Sequence, residues 1–268
     1  MNRSRIQNLW KMQDSKMNNN NTDVTLLEGI ISLDAAIKAG KREILGVYID
    51  REKQAKRDRK ITHLISNLKK SNIPYTICDR EYIDTLSTGK SHGGVVAQVG
   101  NYTFTDINEL LAGLKDNEYL VMLDGVEDPF NFGYSIRNLF AFGCRGFIIP
   151  ERNWMSAANV VSTSSAGASE LCDMAVSHDD DELVKQVKKH GVDIVCSALS
   201  KDSVSLFDFK PQKPFVLFIG GEKRGISKTF MENADAVVHI PYSNENARYS
   251  LPTASCAAIF ASYLSSIK

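Results

Sequence analysis

The sequence predicts an α/β fold built on a parallel sheet, with a smaller α/β unit ahead of it. Three observations carry this. Apolar runs at residues 119–123 and 215–219 are continuous, and that at 192–198 is broken only by Asp193 and Ser197, as in strands covered on both faces. Amphipathic stretches lie among them. Residues 61–70 place Ile61, Leu64, Ile65 and Leu68 on one helical face, and 179–190 form a second helix stopped by Gly191. Turn formers gather where the first of those runs ends: Gly125, Asp128, Pro129, Asn131 and Gly133. Loops at the carboxyl ends of parallel strands are where open α/β sheets hold ligands.

Residues 1–22 are polar and Asn-rich with no apolar segment, which predicts a disordered tail and not a secretory signal. Residues 26–39 predict a helix stopped by Gly40, and 43–49 a strand. After the helix at 61–70 come a strand at 73–78, a short helix at 80–86, a Gly-rich turn at 88–94 and a strand leading out of it to Val99. These form the small α/β unit, residues 23–100. Residues 101–118 predict a connection, with a helix at 106–114. The second unit, 119–268, has strands at 119–123, 146–149, 192–198, 215–219 and 236–240, the last stopped by Pro241. Helices are expected at 135–142, 154–165 and 179–190. Residues 253–267, rich in Ala and Ser among large apolar residues, predict a closely packed terminal helix.

Hydrophobic residues make up 43% of the 268 and charged residues 24%, so a sizeable core is available. No apolar run is long enough to span a bilayer, and no membrane partner is expected. The five cysteines show no Cys-x-x-Cys pair and no His-Cys cluster. That speaks against a metal site and a disulfide framework, and fits a reducing cytoplasm. Net charge is zero but uneven: residues 1–100 carry 17 Lys and Arg against 11 Asp and Glu, and the excess reverses in the remainder. Six positive charges fall within residues 51–60. Such a block suits contact with phosphates, and equally a solvated helix face.

Several stretches could carry chemistry. In Asn131-x-Gly133-x-x-x-Arg137, Gly133 allows a tight turn or a close ligand approach, and Arg137 brings a fixed positive charge. A helix cap followed by a surface arginine has the same spacing. At 218–226 a strand ends in Gly220 and Gly221, followed by Glu222. Bare backbone there can meet a purine or a carboxylate, while Glu222 also suits the start of a helix. At 240–251 a strand gives way to a polar loop ending at Ser250 and Leu251. Lys90, Ser91 and His92 stand on a turn expected to be exposed, where they can meet a phosphate or a base. The Gly89-Lys90-Ser91 run is no phosphate loop: the earlier glycine is absent and a strand follows, not a helix. There is no dinucleotide fingerprint and no nucleophile elbow.

Taken in order, Asn131-x-Gly133-x-x-x-Arg137, Ser165-Ala-Gly-Ala168, Gly220-Gly-Glu-Lys-Arg-Gly225, Ile240-Pro241 and Ser250-Leu251 before an Ala-rich helix resemble the motifs of the SpoU (TrmH-like) RNA 2′-O-ribose methyltransferases of the SPOUT class. Leu27-Glu-Gly29 and His92-Gly-Gly-Val-Val-Ala97 resemble the L30e-like RNA-binding domain found ahead of many such enzymes. The resemblance implies that the second unit is a parallel sheet whose C-terminal segment threads a trefoil knot, a rare exception to unknotted connections. It implies S-adenosylmethionine as cofactor, held by Gly220, Gly221, Ile240, Ser250 and Leu251. It implies an RNA substrate, ribosomal or transfer, and a homodimer joined through the knotted domain.

For Arg137, Asn131 and Glu222 the resemblance implies catalytic places. Arg137 stays protonated at ordinary pH, so the expected role is to clamp the adjacent phosphate and stabilise developing alkoxide charge. Asn131 would orient Arg137 or the ribose, and Glu222 would hold the loop around cofactor and RNA. Lys90, Ser91 and His92 would contact RNA. One departure is Pro252, where the family usually has Asn after Ser-Leu. It removes an amide from the cofactor loop and suggests the alternative of a non-catalytic RNA-binding protein retaining the fold.

Overall fold

The computed structural model describes residues 24–87, 92–150, 157–244, 246 and 249–267. The predicted tail lies outside the described residues, as do Lys90 and Ser91. The first unit is a four-stranded sheet in which β1 (Thr25–Glu28), β4 (Val95–Val99), β2 (Ile44–Asp50) and β3 (Tyr75–Cys78) lie side by side. Strand β4 is antiparallel to both neighbours, and β2 and β3 are parallel. Among the described residues four helices accompany the sheet: α1 (Ile30–Ala39), α2 (Arg51–Ala55), α3 (Arg59–Lys70) and α4 (Arg80–Leu86). Helix α3 is capped by Asp58 and buries Ile61, Leu64 and Leu68 against Leu27, Ile49 and Ala97.

The single helix predicted over 26–39 divides into β1 and α1. Between them Gly29 takes a φ of 85°, a conformation open to glycine. Leu26 and Leu27 suit a strand as well as a helix, and pairing along the free edge of β4 decides between them.

The second unit carries seven strands in the order β7 (Asp173–Ser177), β6 (Gly146–Pro150), β5 (Tyr119–Asp124), β10 (Phe215–Gly220), β8 (Asp193–Ser197), β11 (Ala236–His239) and β9 (Val204–Ser205). Every neighbouring pair is parallel. Strand β5 shows why its sequence is apolar throughout. Tyr119, Val121 and Leu123 join a core with Phe132 and Ile136 of α6 (Pro129–Ala141) and Phe260 of α11 (Thr253–Ser266). Leu120 and Met122 join the opposite core, with Leu183 and Val187 of α9 (Asp180–Lys189) and Phe230 of α10 (Lys228–Glu232). Strand β7, with its short Asp-Met-Ala-Val-Ser sequence, was not predicted.

Residues 101–118 are part of the contact between the units. The connection includes α5 (Ile107–Ala112), within the predicted helix. Tyr102 is buried, and its hydroxyl donates to the Cys172 carbonyl at 2.6 Å. The Thr103 and Thr105 N–H groups donate to the carbonyls of Lys41 and Met174, at 2.9 and 2.8 Å. Beside them Arg42 Nε donates to Glu170 Oε2 at 2.8 Å, with the two side chains only 5% and 2% exposed. Burial pushes the Glu170 carboxyl above its usual range, and Arg42 pulls it back. Lys41 Nζ donates to Asp173 Oδ1 at 2.7 Å and to the Cys172 carbonyl at 2.6 Å. Helices α7 (Ala158–Ser164) and α8 (Ala168–Leu171) complete the contact. Asn159 Nδ2 donates to Glu28 Oε1 at 2.9 Å, and a Cβ on Gly167 would lie 2.7 Å from Ala35 Cβ. Among the described residues no helix is long and apolar enough to cross a membrane, and no cluster of His, Cys, Asp and Glu could hold a metal ion.

Candidate active site

Since all strands of the large sheet run the same way, the segments leaving β5, β8, β10 and β11 emerge on one edge. Three sequence motifs meet there. In the ladder Gly220 is the partner of Asp124, which closes β5. The Asp124 carbonyl accepts the Gly221 N–H at 2.6 Å, and its carboxylate Oδ2 accepts the Ser227 N–H at 2.6 Å. The exits of β5 and β10 are thereby joined.

Helix α6 begins earlier than its sequence suggested. Asp128 is its cap, accepting from the N–H groups of Phe130 and Asn131 at 2.7 and 3.0 Å, and Pro129 takes the first helical position. Asn131 and Gly133, expected in a turn, are therefore helical. Asp and Pro start helices as readily as they form turns, so the sequence was ambiguous here.

The glycines of the motifs serve backbone packing. A Cβ on Gly133 would overlap Ser164 Oγ and lie 2.9 Å from the Val161 carbonyl oxygen, so α6 crosses α7 at this residue. A Cβ on Gly221 would overlap the Gly125 carbonyl, and one on Gly220 would lie 2.7 Å from the Gly225 carbonyl carbon. Gly133→Ala is expected to destabilise the protein by about 1–3 kcal/mol through overpacking. A thermal melt matching the unsubstituted protein would contradict the crossing.

Glu222 stands at the centre. Its Oε1 accepts from Asn131 Nδ2 at 3.0 Å and from the Thr253 N–H at 3.4 Å. Thr253 Oγ1 donates to the Gly220 carbonyl at 3.3 Å. Asn138, seven residues beyond Asn131 and on the same face of α6, donates from Nδ2 to the Ala254 carbonyl at 3.1 Å. A cavity of about 190 Å³ opens among these loops, lined by Gly125, Asp128, Asn131, Glu222, Lys223 and Thr253. A larger cleft of about 540 Å³ lies between the units, but its cations are already paired, Lys41 with Asp173 and Arg145 with Glu118.

Arg137 is exposed and makes no hydrogen bond or ion pair among the described residues. It lies six positions along α6 from Asn131, roughly a third of a turn off its face. The structure thus joins Asn131 to Glu222 and leaves Arg137 facing outward. On its stripe are Phe130 and Tyr134, 54% and 46% exposed. Ile240 is partly buried at the edge of the core, and Ser250 is exposed. The Leu251 N–H donates to the Tyr242 hydroxyl at 3.2 Å, closing the loop between them.

His92 does not stand on an exposed turn. Its ring is fully buried; Nδ1 accepts the Gly94 N–H at 3.1 Å, so Nε2 carries the proton and donates to Asp84 Oδ1 at 2.8 Å. It supports the turn and offers RNA no direct contact. Sequence reasoning missed Thr253 and Asp124. An Asp ending an apolar strand, and a Thr opening a helix behind Pro252, were the available signals.

The profile of the SpoU rRNA methylase family matches residues 118–262, and that of the RNA 2′-O ribose methyltransferase substrate-binding domain matches residues 26–105. The 23S rRNA (guanosine-2′-O-)-methyltransferase RlmB of Shewanella oneidensis is 28% identical over 238 residues, covering 88% of this chain and 95% of its own. The protein of the same name from Blochmanniella floridana is 30% identical over 220 residues, covering 81% and 85%. The crystal structure of the SpoU methyltransferase AviRb from Streptomyces viridochromogenes in complex with AdoMet has a TM-score of 0.73 at 20% identity, over 91% of this chain and 90% of that one. At that identity the likeness shows the fold.

Proposed function

The chain belongs to the SpoU rRNA methylase family, and from that membership we infer that it transfers a methyl group from S-adenosylmethionine to a ribose 2′-hydroxyl of RNA. The observation that carries this reading is the convergence of Asn131, Glu222 and Thr253 on one polar cavity at the sheet edge. Ribosomal RNA is the favoured substrate, because relatives covering most of both chains are named for 23S rRNA. A cytoplasmic place follows from that substrate.

The residues present suit the cofactor. Leu199 is 83% exposed just beyond β8, and Tyr242 and Tyr249 are exposed after β11. Large apolar and aromatic side chains at the mouths of parallel strands fit a purine. Backbone groups of Ile240, Ser250 and Leu251 lie along the same loop. Gly220 and Gly221 contribute by shaping the floor, since Gly221 N–H and both carbonyls are already bonded. S-adenosylmethionine supplies a methyl group activated on a sulfonium sulfur.

The protein's part is placement and charge. Asn131 orients the ribose from the wall of the cavity, and Glu222 holds Asn131 there. Arg137 reaches the phosphate beside the reacting hydroxyl and stabilises negative charge as the proton leaves. Among the described residues it has no hydrogen-bond or ion-pair partner, which suits the guanidinium to this. The stripe of Phe130, Tyr134 and Arg137 favours a second copy of the chain as partner, with the knotted C-terminal segment beside it and the RNA site completed across the interface. The first unit brings the RNA. Lys56, Arg57, Arg59 and Lys60 are exposed around the start of α3, and Lys90 and Ser91 belong to the same unit.

Calorimetric titration with S-adenosylmethionine tests the reading. Saturable binding is expected, together with a sedimenting species of twice 29.8 kDa and an RNA affinity that falls with added salt. Absence of cofactor binding at millimolar concentration would leave the non-catalytic RNA binder, the reading that Pro252 favours.

A further inference from the structure

We propose that Glu222 is the cap that α11 lacks in its own sequence, and that by the same oxygen it fixes Asn131, which makes it a positioning residue. Helix α11 begins at Thr253 behind Pro252, and proline has no side-chain acceptor for the free N–H groups of a first turn. One of these groups is met locally: the Ser255 N–H donates to the Pro252 carbonyl at 2.9 Å, beside the first regular helix bond from Cys256 at 3.1 Å. The Thr253 N–H turns outward to Glu222 Oε1, at 3.4 Å. A carboxylate is favoured there, at the positive end of a 14-residue helix.

The same Oε1 accepts from Asn131 Nδ2 at 3.0 Å. The backbone beneath Glu222 is held as well, since Gly221 donates to the Asp124 carbonyl at 2.6 Å and accepts from the Gly225 N–H at 2.9 Å. One oxygen therefore sets the spacing between the start of α6, the exit of β10 and the start of α11. Leu251, on the cofactor loop, lies two residues before Thr253, so the cap bears on cofactor binding. Asn131 lines the cavity, so the second bond bears on placement of the ribose. These two consequences rest on the function proposed above; the cap itself does not.

Four full-length proteins separate the two bonds: the unsubstituted chain, Glu222→Ala, Glu222→Gln, and Glu222→Ala combined with Pro252→Ser. Ligand-free melts are read first. Glu222→Ala is expected to lower the melting temperature by roughly 2–4 °C, the loss of one cap in a chain of this size. Glu222→Gln keeps an acceptor oxygen and melts close to the unsubstituted chain. The double variant regains its melting temperature, because serine caps the helix from position 252. Kinetics then divide the roles. Glu222→Ala should raise KM for S-adenosylmethionine and lower kcat, each by roughly tenfold, the scale of one hydrogen bond. The double variant should recover KM but not kcat, since Asn131 still has no acceptor. Glu222→Gln should recover both. An unchanged melt for Glu222→Ala overturns the cap. Full recovery of kcat in the double variant overturns the link to Asn131, and a Gln variant as slow as the Ala variant overturns a positioning role. If the unsubstituted chain transfers no methyl group, the proposed function fails while the melts still decide the cap.

Discussion

Replacing Arg137 with alanine is expected to slow methyl transfer to RNA by roughly 10²–10³-fold, the scale of removing one donor from a developing oxyanion. The melting temperature and the affinity for S-adenosylmethionine should stay as they were. This pairing follows from the isolation of the side chain. Arg137 is exposed and bonded to nothing among the described residues, so its removal takes no contact from the fold. Lysine at this position should restore only part of the rate, because an ammonium lacks the planar fork that grips a phosphate with two bonds. Turnover of the alanine variant within about tenfold of the unsubstituted protein, roughly 1.4 kcal/mol of transition-state stabilisation, would remove Arg137 from the chemistry.

The largest expected loss of stability lies far from the site. Arg42→Ala leaves Glu170 buried without its ion-pair partner, a change that typically destabilises by about 3–5 kcal/mol. It also takes the guanidinium from above the Tyr102 ring, 5.2 Å from its centroid. The sign of the pH dependence follows from the direction of the Glu170 shift. Burial raises that carboxyl, and Arg42, with a smaller part from Lys41, lowers it. Without Arg42 the folded protein holds a proton that the unfolded chain releases, so stability falls as pH rises above the unfolded carboxylate's value. The deficit of the variant, read by chemical denaturation, should be larger near pH 8 than near pH 5. An equal deficit at both would mean that Glu170 is not the group at stake. Cutting away residues 23–100 would strip the same partners from Glu170 and Asp173, so the division of labour between the units is better tested in the intact chain.

Much of this molecule was legible before any coordinates. The apolar runs of β5, β8 and β10 read as strands covered on both faces, the stripe of Ile61, Leu64 and Leu68 read as a helix face, and the structure has them so. Errors arose where local chemistry served two structures. Leu26 and Leu27 suit a helix until β4 offers an edge to pair with. Asp128 and Pro129 read as a turn and prove to be the start of α6. His92 sat among glycines and polar residues, the company of an exposed turn, yet its ring is fully buried. Gly133 shows the limit most clearly. Its purpose is a neighbour, Ser164, that lies 31 positions away and meets it only through the crossing of two helices. The joining of Asn131, Glu222 and Thr253 was beyond sequence for the same reason, because the bond depends on where three strand exits emerge.

Alkaline hydrolysis tests most directly whether the methyl group goes to a ribose hydroxyl. Ribosomal RNA is incubated with the protein and S-adenosylmethionine labelled in its methyl group, then hydrolysed in alkali. Cleavage of an RNA linkage requires the 2′-oxygen to attack the adjacent phosphate, and a methyl group on that oxygen blocks it. Label recovered in alkali-resistant dinucleotides, and absent when Arg137 is alanine, is the result expected. Label released in mononucleotides, marking a methylated base, or no label transferred at all, would contradict the account.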